Sequence, residues 1–586
     1  AEKSGKVKAN VFNENIDYEK AKQARWKSFP EILEEQNVSW KIYQNEISLP
    51  KGMSGEQEAW LSNFTDNPIE WFSKFNVKFS KGYYQNIPNI ISYLKKKIES
   101  NPEQKKKLEE IIAELEEDKT TYHPDNYSKL SQQEKNLHEK AFTTNLNDPD
   151  YWNLEIRQDE NRERLVVPKG DVLHQFRKDV EDKKLPLVSW LVAPEHFSDH
   201  PGSPWYGAWY ISEVLNILTK DPETWKKTIF IINYDENDGY FDHVLPFAPP
   251  MNPSQPVDMN GKDGAEYVNR QQEYMSSQEV KDYEKTEGTV GLGYRVPMII
   301  VSPWTKGGFV NSEVSDHTSI LQFLEKFIRK KFNKDVTVDN ISDWRRAICG
   351  DLTSAFNTSN VKIPRMDYLN QKDYAKTINS AKNKPVPDLK WYNEDDLNDL
   401  LLDIQERGIR PSNALPYQYH VNFEDGKIKM TNLKERAVPL LIYDRTNFNN
   451  DSFYFSYALY AKQELSHKIN LGKYDYEVFG PNGFYRNFKG DNTSELRISL
   501  RNLPSKNEVE IVFEKLNGIN NPVTIENLYE KNQRKISLQE NQEKVIMDLN
   551  STKGWYDLKL TSGNCIWHFA GRIETGKPTV SDPHWS

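Results

Sequence analysis

The stretch Ile229-Phe-Ile-Ile-Asn-Tyr-Asp-Glu-Asn-Asp-Gly-Tyr-Phe-Asp-His243 decides the fold class that the sequence predicts. It opens with consecutive β-branched and aromatic residues, which are typical of a strand buried on both faces of a parallel sheet. Asp235 and Glu236 follow where that strand should end, and Asp238-Gly239 predicts a turn. Ligands bind at this edge of open α/β sheets, so a metal ion or a proton-transfer role would explain the paired acids. The alternative is an Asx-rich turn with surface charges.

The composition excludes several classes of protein. The 586 residues are enough for two to four domains. The 77 Lys and Arg residues against 87 Asp and Glu residues give a formal charge of -10, which argues against a nucleic-acid partner bound by positive charge. Two cysteines, Cys349 and Cys565, are too few for a disulfide scaffold. The sequence contains no apolar run of transmembrane length, and its first residues do not resemble a signal peptide.

Alternation of strands and helices from about residue 184 to residue 335 predicts an α/β domain, to which we assign residues 1–380. The predicted strands lie at 187–193, 228–234 and 296–301, and the predicted helices lie at 204–218 and 315–327. This order indicates a mostly parallel sheet covered by helices.

Beyond a predicted linker at residues 381–417, the sequence is typical of an all-β region. Short alternating strands are separated by turn signals such as Asp425-Gly426 and Asn482-Gly483. A weak internal repeat has a period of about 80 residues. We therefore predict two small β-sandwich modules, at residues 418–502 and 503–586.

Further ionisable residues should join Asp235 at the same edge of the sheet. Glu195, His196, Asp199 and His200 follow the predicted strand at 187–193 and could bind metal or transfer protons. Any one of these residues alone fits an ordinary loop residue, but two such loops after successive strands favour a site.

Two Asp-His pairs add to these groups. Asp242-His243 follows Asp235 in the same loop, and Asp316-His317 enters the helix predicted at 315–327. Asp316 could act directly at a site or could be a simple helix N-cap, and we weigh these alternatives equally.

The residues together resemble the bacterial phosphocholine-preferring phospholipase C family, which includes certain acid phosphatases and belongs to the alkaline-phosphatase-like superfamily. The resemblance covers most of the chain from residue 20 onward. Its motifs are Val188-Ser-Trp-Leu-Val-Ala-Pro-Glu-His196, Ser198-Asp-His-Pro201, Pro204-Trp-Tyr-Gly-Ala-Trp-Tyr210, Tyr234-Asp-Glu-Asn-Asp-Gly-Tyr-Phe-Asp-His-Val244, Gly293-Tyr-Arg-Val-Pro297, Ser302-Pro-Trp304, Ser315-Asp-His-Thr-Ser319, Gly480-Pro-Asn-Gly-Phe484 and Phe569-Ala-Gly-Arg-Ile-Glu-Thr-Gly-Lys-Pro578.

This resemblance implies a secreted or periplasmic phospholipase C, with a signal peptide outside this chain. Such an enzyme hydrolyses phosphatidylcholine to diacylglycerol and phosphocholine, with sphingomyelin, which gives ceramide, as a second candidate substrate. It would use one divalent metal ion and act on phospholipid at a membrane or micelle surface. The alternatives are an acid phosphatase or other phosphoesterase on the same scaffold, and a non-catalytic protein that binds lipid or another surface.

The resemblance also implies roles for particular residues. Asp235 and Glu236 match a pair of metal ligands, and His200 matches a histidine at the phosphoryl group. The remaining candidates fall in family motifs: His196, His243 and His317 as catalytic residues, and Asp242, Asp316, Trp205 and Tyr206 as substrate-binding residues. Trp205 or Tyr206 could receive the choline cation.

The sequence departs from the family at its beginning. Family members start with a strand followed by a Gln-Glu-Asn-Arg-Ser-Phe-Asp-His type motif, which supplies the first metal ligands, and a Thr or Ser nucleophile comes later. We find neither motif in this sequence. We therefore expect the chain to correspond to the C-terminal part of the enzyme and to be inactive on its own.

Overall fold

A computed structural model gives the fold of most of the chain. The described residues are 26–48, 53–63, 66–200, 205–250, 270–275, 288–357, 367–381, 384–385, 408–447, 453–469, 472–491, 496–516 and 522–583. Pro201 and Pro204 of the family motifs, and most of the linker predicted at 381–417, lie outside these residues.

The first region contains twelve helices and eight strands among its described residues. The helices are α1 (Phe29–Glu35), α2 (Gly55–Leu61), α3 (Lys81–Ser100), α4 (Lys105–Thr121), α5 (Pro124–Tyr127), α6 (Gln132–Ala141), α7 (His174–Glu181), α8 (Tyr206–Lys220), α9 (Pro222–Trp225), α10 (Thr318–Phe332), α11 (Asp343–Ile348) and α12 (Gln371–Ala381). The strands are β1 (Trp40–Gln44), β2 (Leu154–Gln158), β3 (Arg164–Pro168), β4 (Val188–Val192), β5 (Phe230–Asn233), β6 (Tyr274–Met275), β7 (Gly288–Thr289) and β8 (Met298–Val301).

Two strand pairs replace the parallel sheet that the sequence predicts. β1 pairs with β4 in parallel, with Trp40 opposite Val188. β5 pairs with β8 in the antiparallel direction, with Phe230 opposite Val301. The predicted strands are confirmed as β4, β5 and β8, but a parallel sheet running through all three is not. A short apolar run identifies a buried strand without giving its direction, and no helix of crossover length is described between β5 and β8.

The helices cover these strands in separate core clusters. Leu33 of α1 and Ile328 of α10 are buried in a cluster with β1. Phe176 of α7 and Val214 of α8 are buried in a second cluster with β3. No helix in the described part of the chain is long and apolar enough to cross a membrane.

The C-terminal region is all-β, as predicted. Its strands are β9 (Pro411–Ser412), β10 (Tyr419–Glu424), β11 (Lys427–Asn432), β12 (Val438–Asp444), β13 (Tyr454–Leu459), β14 (Glu464–Lys468), β15 (Tyr474–Phe479), β16 (Tyr485–Gly490), β17 (Leu496–Leu503), β18 (Glu508–Lys515), β19 (Val523–Asn527), β20 (Asn532–Ile536), β21 (Gln542–Asp548), β22 (Trp555–Ser562), β23 (Cys565–Arg572) and β24 (Thr579–Val580).

The two predicted β modules share one sheet and one core. An eight-stranded sheet has the order β13-β12-β15-β16-β23-β22-β19-β20, with β16 and β23 antiparallel. The boundary predicted at residue 502 crosses the β17–β18 hairpin, and buried residues from both sides form a single cluster. The repeat therefore marks two halves of one β structure, because strands about 80 residues apart pair with each other.

The β structure is packed against the first region. Trp344 and Cys349 share a buried cluster with Leu441 and Ala458. Arg436 and Glu313 form an ion pair across the same contact, with Nη2 and Oε1 2.7 Å apart. The β structure therefore supports α11 and the segment that leads to α10.

Candidate active site

The loops that follow β4 and β5 meet at Tyr234. Its hydroxyl donates a hydrogen bond to Asp199 Oδ2 at 2.9 Å, and the backbone N–H of Gly207 donates to Asp199 Oδ1 at 2.9 Å. A Cβ atom at residue 207 would lie 2.5 Å from the Asp199 carboxylate, so only glycine lets α8 approach this closely. The two loops are thus fixed to each other and to the start of α8.

The loop that carries His317 also lies beside Tyr234, although it does not follow directly from the end of a neighbouring strand. Because β8 is antiparallel to β5, Ser302 leaves β8 at the opposite end from Asp235. The chain then returns, and His317 Nε2 donates to the carbonyl oxygen of Tyr234 at 2.9 Å. His317 therefore lies beside Tyr234, although the parallel strands that were expected to bring it there are absent from the described part of this region.

Four carboxylates come together beside these loops. Asp66 is exposed to solvent, but partial desolvation by the surrounding protein, followed by the charges of Asp235, Glu195 and Glu70, raises its pKa to about 7. Asp66 and Glu70 were not predicted, because they lie in a polar segment far from Asp235 in sequence and no motif or periodicity marks them. The direction of this shift reflects desolvation first and repulsion between neighbouring acids second.

This charge distribution fits a hard divalent cation. Such ions prefer carboxylate oxygens, and a cation would relieve the repulsion between the four acids. Asp235 and Glu236 are both exposed at the end of β5. Within the described ranges, no three His, Cys, Asp or Glu side chains are already arranged as a ligand set. Metal binding would therefore require these exposed side chains to converge.

Asp242 and His243 form a separate cluster with Arg295. Arg295 donates to both carboxylate oxygens of Asp242, at 2.5 and 2.9 Å, and His243 Nδ1 lies 3.1 Å from Oδ1. The bonds from Arg295, with smaller contributions from the Val244 N–H and His243, lower the pKa of Asp242 to about 2. The sequence pairs Asp242 with His243, but Arg295 is its stronger partner.

Asp316 lies one position before the N-cap residue His317 of α10, and it has contacts like those of a helix cap. Its Oδ1 accepts hydrogen bonds from the backbone N–H and the hydroxyl of Thr318, at 3.0 and 2.6 Å. Its Oδ2 accepts from Arg345 at 2.7 Å. Both carboxylate oxygens are thus occupied, which favours the cap over the predicted substrate contact. Asp316 positions the N-terminus of α10 and with it His317.

The two predicted choline contacts are in opposite environments. Trp205 is 62% exposed and adopts a left-handed backbone conformation, and its carbonyl oxygen accepts a hydrogen bond from Tyr374 at 2.9 Å. Tyr206 is completely buried, with its ring edge-on to Trp60 at 5.0 Å. This burial does not fit a contact with substrate. Tyr206 belongs to the face of α8 that packs in the core, and the motif includes residues of that face.

The two remaining histidines also differ in environment. His196 lies in the 3₁₀ turn Glu195–Phe197, with its ring edge-on to Trp60 at a centroid distance of 4.5 Å. His200 is exposed on the same loop. The structure thus brings Asp235, Glu195, Asp199 and His317 together, and it adds Asp66, Glu70 and Tyr234 to the predicted set.

Comparison with known proteins places the chain in a family. The pattern that defines the phosphoesterase family matches residues 93–329, and that of the bacterial phospholipase C C-terminal domain matches residues 411–491. The non-hemolytic phospholipase C of Burkholderia pseudomallei is 30% identical over 95% of this chain and 70% of its own length. The chain belongs to the phosphoesterase family of the bacterial phospholipases C.

Two relatives from Pseudomonas aeruginosa agree with this assignment. The hemolytic phospholipase C is 32% identical over 78% of this chain, and the non-hemolytic phospholipase C is 36% identical over 70% of it. The chain spans 65% and 60% of the lengths of these two proteins. The phosphoesterase match includes the loops after β4, β5 and β8, whereas Asp66 and Glu70 precede it.

Proposed function

We propose that this phosphoesterase chain carries the metal- and substrate-binding part of a phospholipase C. The proposed substrate is phosphatidylcholine, which is cleaved on the glycerol side of phosphocholine to give diacylglycerol. The observation that carries this proposal is the group of carboxylates around Asp235, beside three loops joined at Tyr234. The relatives named phospholipase C support the choice of a lipid phosphodiester as substrate.

Asp235 and Glu236 would hold one divalent cation, with Glu195 and Asp66 close enough to share its charge. When bound, the ion would lower the pKa of a hydroxyl nucleophile and neutralise the charge that develops on the phosphoryl group. Asp199 and Tyr234 would keep the two acidic loops together, because their hydrogen bond connects the segments after β4 and β5.

The contact with Tyr234 leaves one ring nitrogen of His317 free. Because Nε2 donates to a carbonyl oxygen, only Nδ1 can face a substrate, and it can donate a proton only when the ring carries both protons. The ring also stands at the N-terminus of the 15-residue helix α10, where the helix dipole favours a phosphoryl oxygen. We assign the imidazolium form of His317, together with the exposed His200, to stabilising the phosphoryl charge and protonating the leaving alkoxide.

The exposed ring of Trp205 is the better candidate for the choline head group. A quaternary ammonium binds to the face of an indole ring, and Trp205 begins the helix whose Gly207 touches Asp199. We also propose that the enzyme acts outside the cytoplasm, secreted or periplasmic, where lipid surfaces are available to it.

The test is hydrolysis of a chromogenic phosphocholine diester in the presence of divalent cations. Two proteins are compared: this chain, and this chain extended at its N-terminus by a segment with the family's Gln-Glu-Asn-Arg-Ser-Phe-Asp-His type motif and nucleophile loop. We expect turnover only by the extended protein, falling by at least about a thousandfold in its Asp235→Asn variant.

Other outcomes distinguish the alternative functions. Turnover of a phosphomonoester in preference to the diester would favour an acid phosphatase. If the extended protein hydrolyses neither substrate, the result would contradict the proposal and favour a non-catalytic binding protein. Turnover by the unextended chain, abolished by Asp235→Asn, would show that it contains its own nucleophile.

A further inference from the structure

Three aromatic rings stand exposed at the tip of the loop that carries the acidic residues. Tyr240 is 70% exposed and Phe241 is 90% exposed, and they follow Asp235 by only five and six residues. Tyr294, from the segment before β8, is 37% exposed and contacts Phe241. Single exposed apolar residues are common on protein surfaces, but adjacent large rings at the edge of a candidate site are not explained by chance exposure.

The aromatic tip, defined as Tyr240, Phe241 and Tyr294, is held in place by specific contacts. The rings of Phe241 and Tyr294 meet edge to face at a centroid distance of 5.7 Å. A second contact joins the same two segments: Asp242, which follows Phe241, accepts two hydrogen bonds from Arg295, which follows Tyr294. The tip is therefore fixed at two points rather than simply carried on one loop.

A turn before the aromatic tip fixes its direction. Asp238 and Gly239 both adopt left-handed conformations, with φ of 59° and 76°. The Gly239 N–H donates to Asn237 Oδ1 at 3.2 Å, and the Tyr240 N–H donates to the Asn237 carbonyl oxygen at 3.4 Å. This turn immediately follows Glu236, so the rings lie on the loop that begins with the two acidic residues after β5.

An arginine flanks the rings. The side chain of Arg295 is 60% exposed, and its guanidinium pairs with Asp242. Aromatic rings favour the boundary between the lipid tails and the head groups, and an exposed arginine side chain favours that boundary too. Exposed rings beside an arginine thus match the chemistry of a phospholipid surface better than that of a soluble partner.

We propose that the aromatic tip docks the protein on a phospholipid surface, with Tyr240 and Phe241 entering at head-group depth. Docking there would bring Asp235 and Glu236 to the level of the lipid phosphates. This inference rests on the proposed function, since it supplies the way in which that site meets a lipid aggregate. No membrane-spanning element is needed for such binding.

The experiment measures co-sedimentation with phosphatidylcholine vesicles. The Tyr240→Ser/Phe241→Ser double variant should lose at least about tenfold in its vesicle partition coefficient, because two apolar rings no longer leave water. Phe241→Trp should retain vesicle binding, since indole rings favour the interface. The matched control is Ile156→Ser, which removes an equally exposed apolar side chain, 70% exposed in β2, far from the tip in sequence.

The outcomes separate docking from catalysis. Each variant should keep the unfolding temperature of the unchanged protein, and the extended protein with the double substitution should hydrolyse the soluble diester at the unchanged rate. Unchanged vesicle binding in the double variant, an equal loss in Ile156→Ser, or no vesicle binding by the unchanged protein would overturn the docking proposal. Vesicle binding through the tip without any hydrolysis would support docking and contradict the proposed function instead.

Discussion

The first region and the β structure bury their apolar side chains in different ways. In the β structure, strands of up to eight residues bury alternate side chains in one continuous cluster. In the first region, β5 and β8 have only four residues each, and the buried side chains are divided among several clusters. Short strands leave their ends free for long loops. This comparison shows why the candidate active site lies in the first region and not in the larger core.

The two regions also treat charged groups differently. In the β structure, Arg572 is buried, and its guanidinium donates to Glu574 Oε1 at 2.6 and 2.8 Å, to Ser412 Oγ at 2.7 Å and to the Asn413 carbonyl oxygen at 3.1 Å. In the first region, Asp66 is exposed and has other acids near it, and its pKa is raised. Charge that is satisfied internally stabilises a fold, whereas charge left uncompensated indicates where a ligand binds.

The largest expected effect on stability comes from the continuous core. Phe569→Ala removes a completely buried ring from β23 and should lower the free energy of unfolding by about 4 kcal/mol. Ile546→Ala in β21 is the control, because Ile546 is 53% exposed and should cost under about 0.5 kcal/mol. Guanidinium unfolding followed by circular dichroism measures both. Similar losses in the two variants would contradict the single core.

A smaller effect is expected at the cap of α10. Asp316→Asn weakens the ion pair with Arg345, which keeps Glu273 as a second partner, and should cost about 2 kcal/mol. Asp343→Asn, at an exposed position in the first turn of α11, should cost under about 0.5 kcal/mol. If the unfolding curves show no difference between these two variants, the ion pair between Asp316 and Arg345 does not stabilise the fold.

The β structure should lose stability in acid through His467. Burial lowers the pKa of His467 to about 3, and its Nδ1 lies within hydrogen-bond distance of the Tyr457 hydroxyl, at 2.8 Å. The unfolded histidine takes up a proton below about pH 6.5, so this contribution is complete above that pH and falls as the pH drops toward 3. The expected loss is about 1.4 kcal/mol per pH unit, or about 2 kcal/mol at pH 5.

Two variants test this dependence on pH. His467→Gln should reduce the fall in the free energy of unfolding between pH 6.5 and 5 by about 2 kcal/mol, although His420, whose pKa burial lowers to about 4, still contributes. His123→Gln should leave the fall unchanged, since His123 is about half exposed. The same slope in both variants would show that other groups cause the loss of stability in acid.

The sequence predicts turns and single strands well, because neighbouring residues determine them. The turns at Asp425-Gly426 and Asn482-Gly483 both adopt the left-handed conformations that such pairs favour, and the strand predicted at 228–234 is observed as β5. The direction of β8 could not be predicted, because an apolar run is the same in either direction. The pairing of β16 with β23 depends on contacts between distant residues.

The site could be predicted only in part for the same reason. Motifs identify Asp235 and His317, since their residues lie close together in the sequence. Asp66 meets Asp235 only through folding, and no pattern connects residues 169 positions apart. The burial of Tyr206 and the occupied carboxylate of Asp316 depend on Trp60 and Arg345, which also come from distant segments.

Isothermal titration of the chain with Mg²⁺, Ca²⁺, Mn²⁺ and Zn²⁺ in turn tests the central claim most directly, because it requires no nucleophile. We expect one site per chain for at least one of these ions, weakened by at least about tenfold in Asp235→Asn and unchanged in Asp343→Asn. Absence of binding for all four ions, or binding that Asp235→Asn leaves unchanged, would contradict a metal site at the end of β5.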